Sequence, residues 1–387
     1  LSIPVKDIAI FPLLTVNNDD YLFEALTLLI KKNIKRIGVT NSRGEMIGIL
    51  EQINILSHFA NHTYVVDSKI KKAKNIVDLR FASKDLLNII KSLHAKGVKV
   101  NHISNLIGQL NTKVYQKLYE LILPKELRND ACFIVMGSEG RNEQIIKTDQ
   151  DNALVIKDGI EVEQYKFYMN EITKNLIDFG YPICEGNIMV SNPFWCKTVN
   201  EYKNETARWI EAPGIQNYMD LAIFFDSFAV AGNKELLINL KDNLFNKLHD
   251  KDVFMAYFAK ATLAFDTPNT VTNIMTKSHI IDIKKTAVFP IVQGIRSLAL
   301  KEKIRETTTI KRIKILENRK VLEKDKAAEL LEAFDFVNTI RLKSQLFDIQ
   351  HGKKITNEID THTLGKIERD LLKDSFKIIN EVKRFSS

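Results

Sequence analysis

Cysteine is scarce in this chain: Cys132, Cys184 and Cys196 are the only three in 387 residues, and no two of them form a C-x-x-C pair. That spacing excludes a disulfide scaffold and a cysteine-based zinc site, and predicts reduced thiols. Proline and glycine are also sparse, at 8 and 15 residues, which excludes collagen-like and low-complexity architectures. No run of 18 apolar residues occurs, so no membrane span is predicted. The opening Leu1–Lys6 has no basic stretch leading into an apolar one, as a signal peptide would, and the cytoplasm is the expected compartment. Because residue 1 is Leu and not Met, further sequence upstream is expected. Charge of one sign is lacking too: 56 Lys and Arg against 48 Asp and Glu leave +8. The densest basic stretch, residues 301–329, interleaves both signs and has no aromatic residues for base stacking, so nucleic-acid binding is not expected. His58 and His62 stand one helical turn apart without acidic or thiol companions, and read as a solvated pair. What is present, 45% hydrophobic and 27% charged residues, describes a globular chain of two or three domains.

Along the chain, residues 1–62 read as an extended entry through Val16, an amphipathic helix over Tyr21 to Lys32 and a strand Arg36 to Thr40. A tight Asn41-Ser42-Arg43-Gly44 connection, a strand Glu45 to Leu50 and a second helix from Gln52 follow. Residues 63–124 carry apolar positions at helical spacing and read as a helical linker closed by Pro124. Residues 125–232 alternate apolar strand-like runs with helical stretches: Ala131 to Met136, Asp151 to Lys157, a helix Glu163 to Phe179, and Leu221 to Val230 as a third strand. That alternation predicts a mixed α/β sheet. Residues 233–387 are periodic at helical spacing and predict a bundle of four or more helices.

The chemistry is expected in Met136 to Val155, MGSEGRNEQIIKTDQDNALV. In extended backbone, residues i and i+2 share a face, which sets the carboxylates of Asp149 and Asp151 side by side. Two such acids are best tolerated around a hard divalent cation such as Mg²⁺ or Mn²⁺. Gly137 gives room for backbone amides and Ser138 to approach a phosphate, and the fork of Arg141 suits a second phosphate oxygen. Phosphoryl or nucleotidyl transfer needs metal-held oxygens more than covalent chemistry, so a third carboxylate is expected. Asp226, a lone acid in the apolar run Leu221 to Val230, is read as that ligand and as the acceptor of the nucleophile's proton, with Asp220 as its understudy.

Two resemblances sharpen the reading. The β-α-β-β-α order and the segment VKDIAIFPLLTVNNDDYLFEALTLLIKKNIKRIGVTNSRGEMIGILEQINIL resemble a CBS domain, a module that works in pairs and often binds adenosine nucleotides. The resemblance implies a mate for this segment, in upstream sequence or in a second subunit, and a homodimer through it is expected. Gly48 fits the motif Gly-hydrophobic-x-Thr-x-x-Asp, but Glu51 and Asn54 stand at its Thr and Asp places, so a dimerising role is expected as readily as nucleotide binding. The signature formed by Gly137, Ser138, Gly140, Arg141, Glu143, Gln144, Thr148, Asp149, Asp151, Asn152, Ala153 and Leu154 resembles the nucleotidyltransferase family called domain of unknown function 294, related to the PII-uridylyltransferases. The likeness continues through Tyr181 to Trp195, Ile223 to Asn233 and Ile281 to Leu300. It implies a polymerase-beta-like α/β nucleotidyltransferase domain, an all-helical substrate-binding-type domain behind it, and an NTP substrate. Glu143, Thr148, Lys284 and Arg296 are then expected to join Gly137, Ser138 and Arg141 as nucleotide-binding residues, and Asp149, Asp151 and Asp226 to hold the metal.

The resulting expectation is a Mg-dependent transfer of a nucleoside monophosphate from an NTP to a hydroxyl, with a small signalling protein as one candidate acceptor and the CBS segment as regulator. The rival expectation is a signal-transduction protein that senses a nucleotide without turning it over.

Overall fold

The computed structural model describes residues 12–20, 34–51, 65–212, 214–260 and 279–385, with isolated positions before residue 34. Most of the expected Tyr21 to Lys32 helix, the helix from Gln52, His58, His62 and Asn54 lie outside the described residues.

The N-terminal segment contributes a three-stranded sheet in the order β1 (Thr15–Asn17), β2 (Arg36–Thr40), β3 (Met46–Glu51), with β1 parallel to β2 and β3 antiparallel to it. The connection is built as its residues dictate. Asn41 Oδ1 accepts from the amides of Arg43 and Glu45, and Gly44 takes a φ of 77° that a side chain would disfavour. Glu51 closes the sheet edge through Arg36, at 2.9 Å.

Helices Ile76–Ala95 and Val100–Ile122 follow, the first capped by Asn75 Oδ1 accepting from the Asp78 amide. They pack against a four-stranded sheet of order β6 (Cys196–Thr198), β5 (Asn152–Ile156), β4 (Ala131–Val135), β7 (Phe228–Gly232). Strand β4 is antiparallel to both of its neighbours, and β5 runs parallel to β6. Every residue of β4 and β5 is buried, and the two-residue period divides them between two cores. Ala131, Phe133, Val135, Leu154 and Ile156 face the linker helices and helix Glu163–Asp178. Cys132, Ile134, Met136, Ala153 and Val155 face the other way, into one core continuous with the C-terminal helices. The sheet is therefore the shared wall of two cores, and Phe133→Ala in it would cost about 3–5 kcal/mol.

The run Leu221 to Val230 is not a strand. Helix Ile215–Phe225 occupies its first half and β7 only its second. Short apolar runs do not separate a buried helix from a buried strand by periodicity, and Tyr218, Leu221, Ala222 and Phe225 sit at the i, i+3, i+4, i+7 spacing of one buried helical face. Asp226 is consequently the C-cap of a helix and not a mid-strand residue, and Asp220 lies inside that helix, bonded to Gln216 at 2.8 Å. Strand β6 and the helix Val199–Glu211, opened by a Thr198–Glu201 capping box, complete the sheet edge.

After β7 the chain is helical: Glu235–Lys247, Asp252–Lys260, Phe289–Lys301 entered through a π-helical turn Lys284–Val288, Thr309–Asn318, Lys324–Gln350 and Lys366–Phe385. A two-stranded ribbon, β8 (Ile280–Asp282) with β9 (Glu358–Asp360), ties the start of the π-turn to the end of the bundle.

Candidate active site

Strand β4 runs into a single helical turn, Gly137–Gly140, and two glycines let that turn press between its neighbours. Gly137 has a φ of 54°, and a Cβ on it would stand 2.3 Å from Asp151 Oδ2. A Cβ on Gly140 would stand 2.1 Å from the carbonyl oxygen of Asp226. No residue with a side chain fits either place. The Met136 amide donates to the Asp151 carbonyl at 2.8 Å, so pairing beyond the end of β4 fixes the aspartate opposite the turn.

Asp149 and Asp151 come together in the extended segment before β5. Gln144 Nε2 donates to the Asp149 carbonyl at 2.9 Å and anchors that segment, Thr148 Oγ1 lies 3.4 Å from Asp149 Oδ1, and Ser138 Oγ lies 3.4 Å from Gln144 Oε1. Asp149 Oδ2 accepts from Lys284 Nζ at 3.0 Å, which brings the first turn of the C-terminal region to the acid pair. Asp151 Oδ1 accepts from the Cys184 thiol at 3.1 Å. Burial, and then the charge of Asp149, push the Asp151 carboxyl up to about 7. Two adjacent carboxylates are a hard-oxygen donor set of the kind Mg²⁺ takes together with substrate phosphates and water. The residues present fit such an ion. Among the described residues no three His, Cys, Asp or Glu side chains stand together as metal ligands.

Asp226 does something else. It is fully buried, and three guanidinium groups take its two oxygens: Arg312 Nη1 at 2.7 Å on Oδ1, with Arg141 Nη1 at 2.7 Å and Arg296 Nη2 at 2.5 Å on Oδ2. Burial alone would raise its pKa, but Arg296, Arg312 and Arg141 hold it well below the usual carboxylate range. A carboxylate so engaged is the counter-ion of an arginine cluster, which corrects the expectation that Asp226 completes the metal site. Charge neutralisation supplies the reason: an unpaired buried carboxylate costs several kcal/mol, and here arginines satisfy it in place of a metal. Arg141 is likewise committed, its Nε donating to Glu143 Oε2 at 2.6 Å, and Arg296 is 2% exposed, so both expected phosphate clamps point at Asp226. Glu143 Oε1 accepts from the Thr309 amide at 2.8 Å, a direct bond between the segment after β4 and the bundle.

Three residues around the site had weak sequence signals or none. Arg312 is fully buried in the cluster but sits in an ordinary amphipathic helix, 86 positions from its partner. Cys184 lies in the segment Tyr181 to Trp195 with no expected role at the site, and donates to Asp151. Glu139 lies inside the glycine-serine motif; its Oε1 accepts from Tyr115 at 2.5 Å, its Oε2 has no partner, and burial raises its pKa well above normal. The described cysteines are all free.

Comparison with known families agrees with this layout. The family model described as "Putative nucleotidyltransferase DUF294" matches residues 84–216, and "Putative nucleotidyltransferase substrate binding domain" matches residues 252–387. A CBS domain model matches residues 5–61. No curated protein matches the chain. The glycine turn, the acid pair and β4 to β6 fall within the first match, and Lys284, Arg296 and Arg312 within the second. The chain thus carries the two domains of the DUF294 nucleotidyltransferase family, the transferase-type domain over residues 84–216 and the substrate-binding-type domain over residues 252–387, with a CBS domain ahead of them.

Proposed function

We propose that the protein moves a nucleoside monophosphate from an NTP to a hydroxyl of an acceptor, with Mg²⁺ or Mn²⁺ as cofactor. The acceptor hydroxyl gives its proton to solvent, its oxygen bonds to the α-phosphorus, the bond from that phosphorus to the bridging oxygen breaks, and pyrophosphate leaves. The observation that carries this reading is the pair Asp149 and Asp151 facing a turn at which Gly137 leaves no room for a side chain. In it Asp149 and Asp151 hold the metal, whose charge would stabilise the attacking and leaving oxygens. The amides of Gly137 and Ser138 receive phosphate oxygens at the start of a helical turn, and Lys284, which pairs with Asp149, would bind the triphosphate. Arg141, Arg296 and Glu143 act through Asp226 and Thr309 by clamping the helical region to the turn. We divide the chain accordingly into a CBS segment 1–62, a linker 63–124, a transferase domain 125–232 and a substrate-binding-type domain 233–387. The CBS segment serves as the dimerising and regulatory element of a signal-transduction enzyme with a small regulatory protein as acceptor. No helix among the described residues is long and apolar enough to cross a membrane.

The test is incubation with each α-labelled NTP, Mg²⁺ and cell extract. Label should pass to an acceptor with wild type and not with Asp149→Asn. Binding of Mg-NTP without transfer for every base would favour the sensing role over catalysis.

A further inference from the structure

A second cavity, of about 420 Å³, lies between the linker helices and the loop that leads to Asp149. Its walls are apolar: Leu87 and Ile90 come from helix Ile76–Ala95, Ile107 from helix Val100–Ile122, Ile146 from the loop, and Ile355 from the segment after the long C-terminal helix. Its volume falls in the range of roughly 300–1,000 Å³ typical of small-molecule sites. The charged groups on it are both cationic. Lys84 stands exposed on the cavity edge, and Lys147 lies deeper, where its Nζ donates to Ser83 Oγ at 2.7 Å and to the Phe179 carbonyl at 2.8 Å. No carboxylate lines it.

We propose that this cavity is a binding site for a small amphipathic anion, an apolar tail of about ten carbons ending in a carboxylate, with the tail among Leu87, Ile90, Ile107 and Ile146 and the head at Lys84. Two features argue for that class over a neutral or cationic molecule. The lining is mostly hydrocarbon, with Ser83 and Asn111 as its neutral polar groups, and rewards an apolar body by area removed from water. The two charged groups on the wall have the same sign, so a head group of opposite charge is selected and a cation repelled. Location gives such a site consequence. The loop residue Ile146 is three positions before Asp149, and Leu87 and Ile90 lie on the linker helix that leads back toward the CBS segment.

Decanoate is the probe, with decanol and decylamine as controls, read by thermal shift and titration calorimetry on the full chain without nucleotide. Wild type should be stabilised by decanoate with an affinity about tenfold or more above decanol, a difference of about 1.4 kcal/mol. Leu87→Trp and Ile355→Trp, which fill the cavity from opposite half-buried walls, should each abolish binding. Lys84→Glu, at an exposed position that folding tolerates, should weaken decanoate several-fold and leave decanol unchanged. The proposal is overturned if decanoate does not bind, if decanol binds equally well, or if Lys84→Glu binds decanoate as wild type does. Because the assay contains no NTP, failure of the transferase reading would leave its outcome unaffected.

Discussion

Gly137 and Asp151 compete for one volume: a methyl group on the glycine would lie 2.3 Å from the aspartate's Oδ2, on a backbone already at φ 54°. The acid pair and the turn it faces are thus one construction, and added bulk on the turn displaces the acid.

Gly137→Ala should therefore cost about 1–3 kcal/mol of stability through left-handed backbone strain and displacement of Asp151. Nucleotidyl transfer should fall at least about a hundredfold, since a misplacement of about 1 Å has effects of that size. Urea denaturation and the labelled-NTP assay measure the two effects separately.

Asp151→Asn removes a buried charge that sits beside Asp149 without a cationic hydrogen-bond partner of its own. Metal-free protein should gain roughly 1 kcal/mol at pH 8, while transfer is lost. A melting temperature that falls in the metal-free variant would contradict the like-charge account of this pair.

Asp226→Asn leaves three buried guanidiniums without their counter-ion and should destabilise by about 3–5 kcal/mol, among the largest single effects in the chain. The pH dependence carries a second signature. A carboxyl held below its ordinary value of 3.8 contributes stability that is complete above that pH and drains away as pH falls toward the folded value. Wild type should accordingly lose stability more steeply than Asp226→Asn below about pH 4 in acid titrations followed by circular dichroism.

Lys241 is half-buried beside Arg312 and donates to the Ser227 carbonyl at 2.6 Å; desolvation first, then Arg312, lower its pKa to about 7. The folded form then binds fewer protons than the unfolded chain between about pH 7 and 10, so this group makes stability rise with pH across that window. In Lys241→Met the rise should shrink, which urea titrations at pH 7 and pH 9 would show.

Lys284→Ala removes a partly exposed partner of Asp149. Stability should change by less than about 1 kcal/mol, as for other partly solvated ion pairs. NTP affinity should nevertheless fall several-fold, and Lys284→Arg should recover part of it.

Much of the sheet was legible because its information is local. The runs Ala131 to Met136 and Asp151 to Lys157 are long enough, and apolar enough, to be buried on both faces, and they became β4 and β5. The hairpin of β2 and β3 was equally plain, because Asn and Gly at its ends carry the turn chemistry themselves. The run Leu221 to Val230 misled because hydrophobicity without period states burial and leaves open whether helix or strand achieves it. Strand β6, three residues beside a 3₁₀ turn, has too little pattern to be seen at all.

The sequence by itself determined the order of the parts, the glycine-serine turn, and the closeness of Asp149 to Asp151, since two residues of extended chain bring them together whatever else folds around them. It also required that Asp226, an acid among phenylalanines, meet a positive charge. Which charge was a matter for tertiary structure alone. Arg141, Arg296 and Arg312 approach it from a turn and two helices separated by up to 171 residues of chain, and only the packing of bundle on sheet decides that guanidinium groups, and not a metal ion, arrive there.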